Sequence, residues 1–317
     1  MKKLICILVS AVIIASLCAC SNTAKTENDG LKIVCTAFPQ YDYIKNILGT
    51  DDGLTLLLDD GADLHSYEPT AQDIIAIGSS DLFVYIGGQS DKWVDGAIVS
   101  ANNPDLKSVA VMDLVDTLEE EYVAGMEREQ HKHVDAHNGD HTEEDEHVWL
   151  SLKNAAKITN ALCEEICKID SANESEYRAN AENYINQLSA LDAEYQSVVS
   201  SAKRKTLLFA DRFPFRYLTE DYELTYFAAF AGCSSESEAS FETMAFLIDK
   251  TKELNLPSVL TIEGSDGSIA AMICEETGTG TLTLDSCQSV SSADIEQGAN
   301  YLDIMKNNLN VIQEALN

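Results

Sequence analysis

Two histidines and two aspartates stand where a metal ion can be held. His65 lies in Asp59-Asp60-Gly61-Ala62-Asp63-Leu64-His65-Ser66-Tyr67-Glu68-Pro69-Thr70, directly after a β-rich run that ends near Leu58. His147 lies in Asp145-Glu146-His147-Val148-Trp149-Leu150, between an acidic stretch and a helical pattern. Asp211 and Asp285 each follow a β-rich run, 206–210 and 281–284. Imidazole nitrogens and carboxylate oxygens from four separate segments make a donor set suited to Zn²⁺ and also to Mn²⁺. Taken singly, a loop histidine is ordinarily a surface residue, and an aspartate after a strand is as well suited to capping a helix.

A second group of histidines has a different character. Residues 116–147 carry twelve acids, two bases and five of the six histidines of the chain, with no apolar periodicity. Such a segment reads as a mobile loop. His131, His133, His137 and His141 among carboxylates on a loop give weak, exchangeable sites that raise local metal occupancy.

The elements around these residues follow a βα rhythm. Candidate strands are 31–36, 54–58, 82–86 and 109–112, then 206–210, 224–230, 258–262 and 281–284, with helices expected at 151–167, 239–254, 266–277 and 294–316. Between the two sets, Tyr177, Ala181, Tyr184, Leu188, Leu191, Tyr195 and Val198 recur at steps of four and three, one apolar stripe on a long helix. Asn173 can cap it, and Lys203, Arg204 and Lys205 near its end suit the helix dipole. Roughly thirty residues at about 1.5 Å each reach about 45 Å, enough to cross two lobes. The expected fold is α/β: two parallel-sheet lobes, 31–172 and 206–317, bridged by one long rigid helix over 173–205. Ligands of such lobes bind at the C-terminal ends of the strands, so the metal site is expected in the cleft between them.

Composition excludes whole classes of function. The chain has 317 residues, 53 Asp and Glu against 21 Lys and Arg, a formal charge of −32 and 45% hydrophobic residues. It can bury a core, it repels phosphate backbones, and it concentrates small cations. Nucleic acid is therefore not a partner. Gly264 and Gly267 belong to no phosphate-binding loop, and neither a nucleophile elbow nor a His-Glu-x-x-His element occurs.

The N-terminus reads as a targeting segment. Lys2 and Lys3 precede an apolar run over 4–19, too short for a comfortable membrane span. Its end, Leu17-Cys18-Ala19-Cys20, resembles a bacterial lipobox, with Cys18 an unusual residue two places before the cut. On that resemblance 1–19 is a signal peptide, Cys20 carries lipid, and the polar residues 20–30 form a tether on the outer leaflet of the cytoplasmic membrane. The six cysteines beyond it, Cys35, Cys163, Cys167, Cys233, Cys274 and Cys287, are scattered and read as small core residues. Cys163 and Cys167 share a helix face, but no second pair lies nearby to complete a thiolate site. In Cys233-Ser234-Ser235-Glu236-Ser237-Glu238 the acids read as capping the helix at 239–254.

Asp63-Leu64-His65-Ser66-Tyr67-Glu68-Pro69 and Glu146-His147-Val148-Trp149-Leu150 resemble the two metal-histidine motifs of the zinc/manganese ABC-transporter substrate-binding lipoproteins, and the resemblance covers essentially all of 31–316. It implies that His65 and His147 are first-lobe ligands and that Asp285, in Leu284-Asp285-Ser286, is the second-lobe aspartate. The family places a His or Glu five residues before the tyrosine of a Phe-x-Tyr element; here Phe215-Arg216-Tyr217 puts Arg212 there, and a guanidinium cannot ligate a metal. Either Asp211 supplies the oxygen, the preferred reading, or the site is three-coordinate plus water. Glu263, which also follows a strand, is in reserve. Segment 131–141 resembles the His/acid-rich loop of the zinc branch, which favours Zn²⁺ over Mn²⁺.

The expected function is that of a monomeric, lipid-anchored, extracytoplasmic receptor that captures Zn²⁺ and delivers it to an ABC-transporter permease, with no catalysis on this chain. A Mn²⁺ receptor of the same family, a secreted metallohydrolase with an open position for water, and a surface adhesin with a structural metal are the alternatives.

Overall fold

Short runs of β-branched and aromatic residues set the strands, and because each strand is followed by an amphipathic stretch rather than a tight turn, they pair in parallel. The computed structural model describes residues 30–59, 64–127, 143–234, 238–288 and 290–317. In the first half, β1 (Ile33–Cys35), β2 (Leu54–Leu56), β3 (Leu82–Tyr85) and β4 (Lys107–Ala110) form one sheet in the order β2-β1-β3-β4, all parallel. Helices α1 (Phe38–Leu48), α2 (Ala71–Gly78) and α3 (Val94–Ala101) make the crossovers. Val34, Ile77, Phe83, Val94 and Ala97 form the core between sheet and helices.

The second half repeats the plan. After α4 (Leu152–Ile169) and α5 (Glu174–Ser201) come β5 (Thr206–Phe213), α6 (Arg216–Asp221), β6 (Thr225–Ala231), α7 (Phe241–Glu253), β7 (Ser258–Ile262), α8 (Ser268–Thr277) and β8 (Gly280–Leu284). The sheet order is β6-β5-β7-β8, again all parallel. The fold is thus two α/β lobes, each with its strand order reversing beside its first strand, and the crevices at the C-terminal strand ends are the places for a ligand. Strand β5 runs three residues further than the sequence suggests. Its register shifts between Phe209 and Arg212, and Arg212 and Phe213 then pair with Phe230 and Ala231. Asp211 consequently lies inside a bulged strand rather than after one.

The long helix α5 has 28 residues and is about 42 Å long. Tyr177, Ala181, Tyr184, Leu188, Leu191, Tyr195 and Val199 are its buried face. Val199 closes the stripe instead of Val198, since a step of four from Tyr195 stays on the same side of a 3.6-residue helix. One hydroxyl reaches into each lobe: Tyr184 donates to Asp42 Oδ2 of α1 at 2.8 Å, and Tyr195 donates to the Met305 carbonyl at 2.6 Å. Asn173 does not cap the helix with its side chain; its amide donates to Asp170 Oδ2. Lys205 Nζ does meet a last-turn carbonyl, that of Val199.

Two further expectations change. The helix placed at 294–316 is two, α9 (Ser292–Glu296) and α10 (Tyr301–Ala315), because the chain turns at Gly298 (φ 97°) and Asn300 caps the second by accepting from Asp303 N at 2.9 Å. The acidic segment expected as a loop is anchored at both described ends. Glu119 and Glu144 form an antiparallel bridge, Glu120 N donates to the Glu143 carbonyl, and Asp145 N donates to the Leu118 carbonyl. Further along, Glu127 N donates to the Ala229 carbonyl of edge strand β6. His131, His133, His137 and His141 lie outside the described residues, as do Cys20 and the signal segment. Among the described residues no helix is long and apolar enough to cross a membrane, and the six described cysteines are free thiols.

Burial pushes the Asp42 carboxyl up to about 6, against the lowering effect of the Tyr184 hydrogen bond. The folded chain therefore holds this proton more tightly than the unfolded chain, and stability is lost as pH rises from about 4 to about 6. Asp42→Asn keeps an acceptor for Tyr184 and removes the ionisation. It is expected to match the parent near pH 4 and to exceed it near pH 7.5 by roughly 1–3 kcal/mol, read by urea unfolding in chelator; an equal difference at both pH values would contradict this origin.

Candidate metal centre

His147 is fixed from three sides before any ion is considered. Asp145 Oδ1 accepts from His147 N at 2.8 Å and pairs with His147 Nδ1 at 3.0 Å. Nδ1 thus carries the proton, and Nε2 keeps its lone pair. Val148–Leu150 then make a buried 3₁₀ turn, and Ser151 caps α4 by accepting from Asn154 N. The Trp149 ring stands edge-on to His147 with centroids 5.3 Å apart, and its Nε1 donates to the Ser286 carbonyl at 2.8 Å. Tyr217 of α6 donates to the Asp145 carbonyl at 2.7 Å. His147 is fully buried, and its Nε2 has no hydrogen-bond partner among the described residues.

The electrostatics match a cation. Burial by itself lowers the His147 pKa, but Asp145, through its charge and its hydrogen bond, together with Glu146 and Glu120, more than offsets this and the pKa lies above the ordinary value. Carboxylates that favour a proton on this ring favour a dication beside it for the same reason.

His65 reaches the same place from the loop after β2. It sits in the 3₁₀ turn Leu64–Ser66, and its Nδ1 pairs with Ser90 Oγ at 2.8 Å. Ser90 N donates to Glu146 Oε1 at 2.8 Å, so one serine ties the two histidine segments together. The loop carrying Ser90 is shaped by Asp91, whose Oδ2 accepts from Ile86 N and Gly87 N at 2.6 and 3.0 Å. A Cβ at Gly88 would lie 2.4 Å from the Glu146 side chain, which is why a glycine stands there. The His65 and His147 ring centroids are 5.5 Å apart.

A third donor, Cys233, completes the cluster. One ligand atom each from His65, His147 and Cys233 lies within 4.8 Å of the other two. Cys233 follows β6, and the preceding Gly232 packs so closely that an added Cβ would meet His147 Cε1 at 3.1 Å and the Phe213 carbonyl at 2.8 Å. Cys233 N donates to Glu120 Oε1 at 3.1 Å. Burial, with the charges of Glu146, Asp145 and Glu120, pushes the thiol pKa far up.

The other expected donors do not join this cluster. Asp211 Oδ1 accepts from Arg212 N, while Oδ2 is buried with no hydrogen-bond partner among the described residues. Asp211 caps no helix either, because α6 begins at Arg216. Asp285 does follow β8, but its Oδ1 accepts from Cys287 N and its main chain is held by Asn308. Glu263 accepts from Ser286 N and Oγ, and burial followed by the neighbouring Asp285 charge raises its pKa to about 7. The acids after Cys233 do not cap α7; Ser240 does, accepting from Thr243 N. Sequence reading files Cys233 with the core cysteines, and the structure places it beside His65 and His147. The strand-end position that singled out Asp285 applies equally to it.

A family model described as zinc-uptake complex component A, periplasmic (ZnuA), matches residues 33–315. The high-affinity zinc uptake system protein ZnuA of Bacillus subtilis is 30% identical over 313 residues, covering 98% of this chain and 96% of that protein. The zinc-binding lipoprotein AdcA of Streptococcus pneumoniae is 29% identical over 310 residues, 96% of this chain, which spans only 60% of that relative's length. Among solved structures, the metal-dependent lipoprotein YcdH from Bacillus subtilis superposes with a TM-score of 0.73 at 29% identity, over 90% of this chain and 99% of that one. The Zn(II)-bound ZnuA-like domain of Streptococcus pneumoniae AdcA gives 0.72 at 26%, over 90% and 98%.

Asp145→Asn keeps an oxygen near His147 and removes the charge. It is expected to weaken divalent-metal binding about 10- to 100-fold and to destabilise the chelator-treated chain as well, since the two His147 N–H groups lose their charged acceptor. Chelator competition and thermal unfolding check the two halves separately.

Proposed function

The chain belongs to the family of zinc-uptake complex component A, and on that premise we propose that it is an extracytoplasmic receptor that captures Zn²⁺ and delivers it to an ABC-transporter permease. The observation that carries the reading is His147 Nε2: fully buried, its tautomer set by Asp145, without a hydrogen-bond partner among the described residues, and facing a second imidazole. A lone pair placed so is stabilised by a cation. Two imidazoles among carboxylates favour Zn²⁺ over Mn²⁺, which prefers oxygen. The chain works as a binding module, without catalysis, and as a monomer held on the outer leaflet by lipid on Cys20. Because the donor segments follow strands of different sheets, movement of one lobe against the other opens the cluster and releases the ion. The His/acid-rich segment 131–141 feeds the site.

The test is equilibrium chelator competition on the chain from residue 21 onward, with Zn²⁺ and Mn²⁺. One tight zinc site is expected, weakened at least about 100-fold by His65→Ala or His147→Ala, with Mn²⁺ weaker throughout. Weak binding spread over several equivalents and indifferent to both substitutions would sink the reading. Deleting 131–141 is expected to slow capture at limiting zinc and leave the equilibrium affinity within about twofold, because residues that only concentrate the ion do not contribute to its final coordination. Stopped-flow capture beside the equilibrium titration distinguishes these.

A further inference from the structure

We propose that Cys233 ligates the captured ion as a thiolate, making with His65 and His147 a two-nitrogen, one-sulfur donor set. This rests on the zinc-receptor reading and goes beyond it. It moves the third donor away from Asp211 and accounts for the loss of a ligating side chain at Arg212.

Geometry comes first. Donors around a tetrahedral zinc at about 2.0–2.3 Å sit roughly 3.3–3.8 Å apart. The three donor atoms here are already within 4.8 Å of one another, so a movement on the order of 1 Å brings them into coordination. The second observation is independent of the cysteine. His147 is fully buried and its Nε2 has no hydrogen-bond partner among the described residues, in the group that Cys233 completes. The third is the backbone under the thiol. An added Cβ at Gly232 would meet the His147 ring, and Glu120 accepts from Cys233 N, so the backbone that carries the thiol is held next to His147. Asp211 lacks this: it sits in the β5 bulge, outside the group of converging donors.

On binding, the S–H bond breaks, its proton leaves to solvent, and a sulfur–metal bond forms, with no change of oxidation state. One thiolate and two neutral imidazoles leave the ion with a net positive charge, which Asp145, Glu146 and Glu120 face. Sulfur also hardens the preference: soft donors suit Zn²⁺ and Cd²⁺ and disfavour Mn²⁺.

The test uses the full mature chain loaded with Co²⁺ or Zn²⁺. A near-ultraviolet sulfur-to-cobalt charge-transfer band is expected, lost in Cys233→Ser and kept in the Cys163→Ser/Cys167→Ser double variant. Zinc affinity should fall at least about tenfold in Cys233→Ser and change by less than about threefold in Asp211→Asn. Zinc-edge X-ray absorption of the unmutated chain, with one sulfur neighbour near about 2.3 Å, gives the answer even where a variant does not fold. Tight zinc binding that depends on His147 but shows no sulfur neighbour overturns the cysteine assignment and leaves the receptor reading intact. A band that persists in Cys233→Ser overturns it as well. Absence of any tight site in the unmutated chain overturns the receptor reading itself.

Discussion

The Asp145 carboxylate is the constraint on which the site depends. A single oxygen accepts from both the backbone and the ring of His147, and the peptide on either side is tied elsewhere, to Leu118 through its N–H and to Tyr217 through its carbonyl. That arrangement sets the tautomer, aims Nε2 and fixes the height of the ring above Trp149. Without it, a buried imidazole surrounded by Glu146 and Glu120 has no single preferred orientation. The clip formed by residues around Glu119 and Glu144 extends the same constraint across the molecule, because Glu120 also grips Cys233 N and Glu127 meets strand β6. A segment whose composition suggests only solubility is therefore, at its anchored ends, the part that links donors from different strands.

The repeated sheet order explains why donors meet where they do. His65 follows β2 and Cys233 follows β6, and these are the corresponding edge strands of the two sheets. Each sheet contributes a donor from the loop after its second strand in sequence. The long helix, with Tyr184 bonded to α1 and Tyr195 to α10, sets the distance between the lobes that carry them. Rigidity in α5 and closeness of the donors are linked: a helix that bent would change the separation of two loops that have to agree within about an ångström.

Periodicity made the fold readable. Strands alternating with amphipathic segments predict the parallel sheets, and the stripe from Tyr177 to Tyr195 predicts the bridging helix, because both patterns are local consequences of which face is buried. The departures arise where tertiary pairing overrides local pattern. Strand β5 continues past Ala210 only because Arg212 and Phe213 find partners in β6, and no window of sequence around Asp211 records that bulge. The last helix splits at Gly298 because Asn300 can cap a new one, a signal that was present and outweighed by continuous apolar spacing. Motif resemblance picks out His65 and His147, and the fold brings the two rings together with centroids 5.5 Å apart. That Cys233 lies beside them is signalled only by its place after a strand, since a thiol carries no period and His147 is distant in the chain.

Exchanging an oxygen or imidazole donor for sulfur changes where charge has to be supplied. Arg212 stands at the position where the related pattern has a ligand, and a guanidinium has no lone pair to offer an ion. A thiolate brings a formal negative charge directly to the ion, and the three carboxylates that raise the Cys233 pKa are the groups that a bound dication would then offset. Asp285 and Glu263 follow β8 and β7, and burial raises both carboxyl pKa values, with the Asp285 charge adding to the rise at Glu263. Glu263 holds Ser286 through its N–H and hydroxyl, Asp285 holds Cys287 N, and the Ser286 carbonyl in turn accepts from Trp149 Nε1 beside His147. Negative charge is thus gathered by Glu120, Asp145 and Glu146 around His147 and Cys233, and Glu263 reaches the same place through Ser286 and the Trp149 ring.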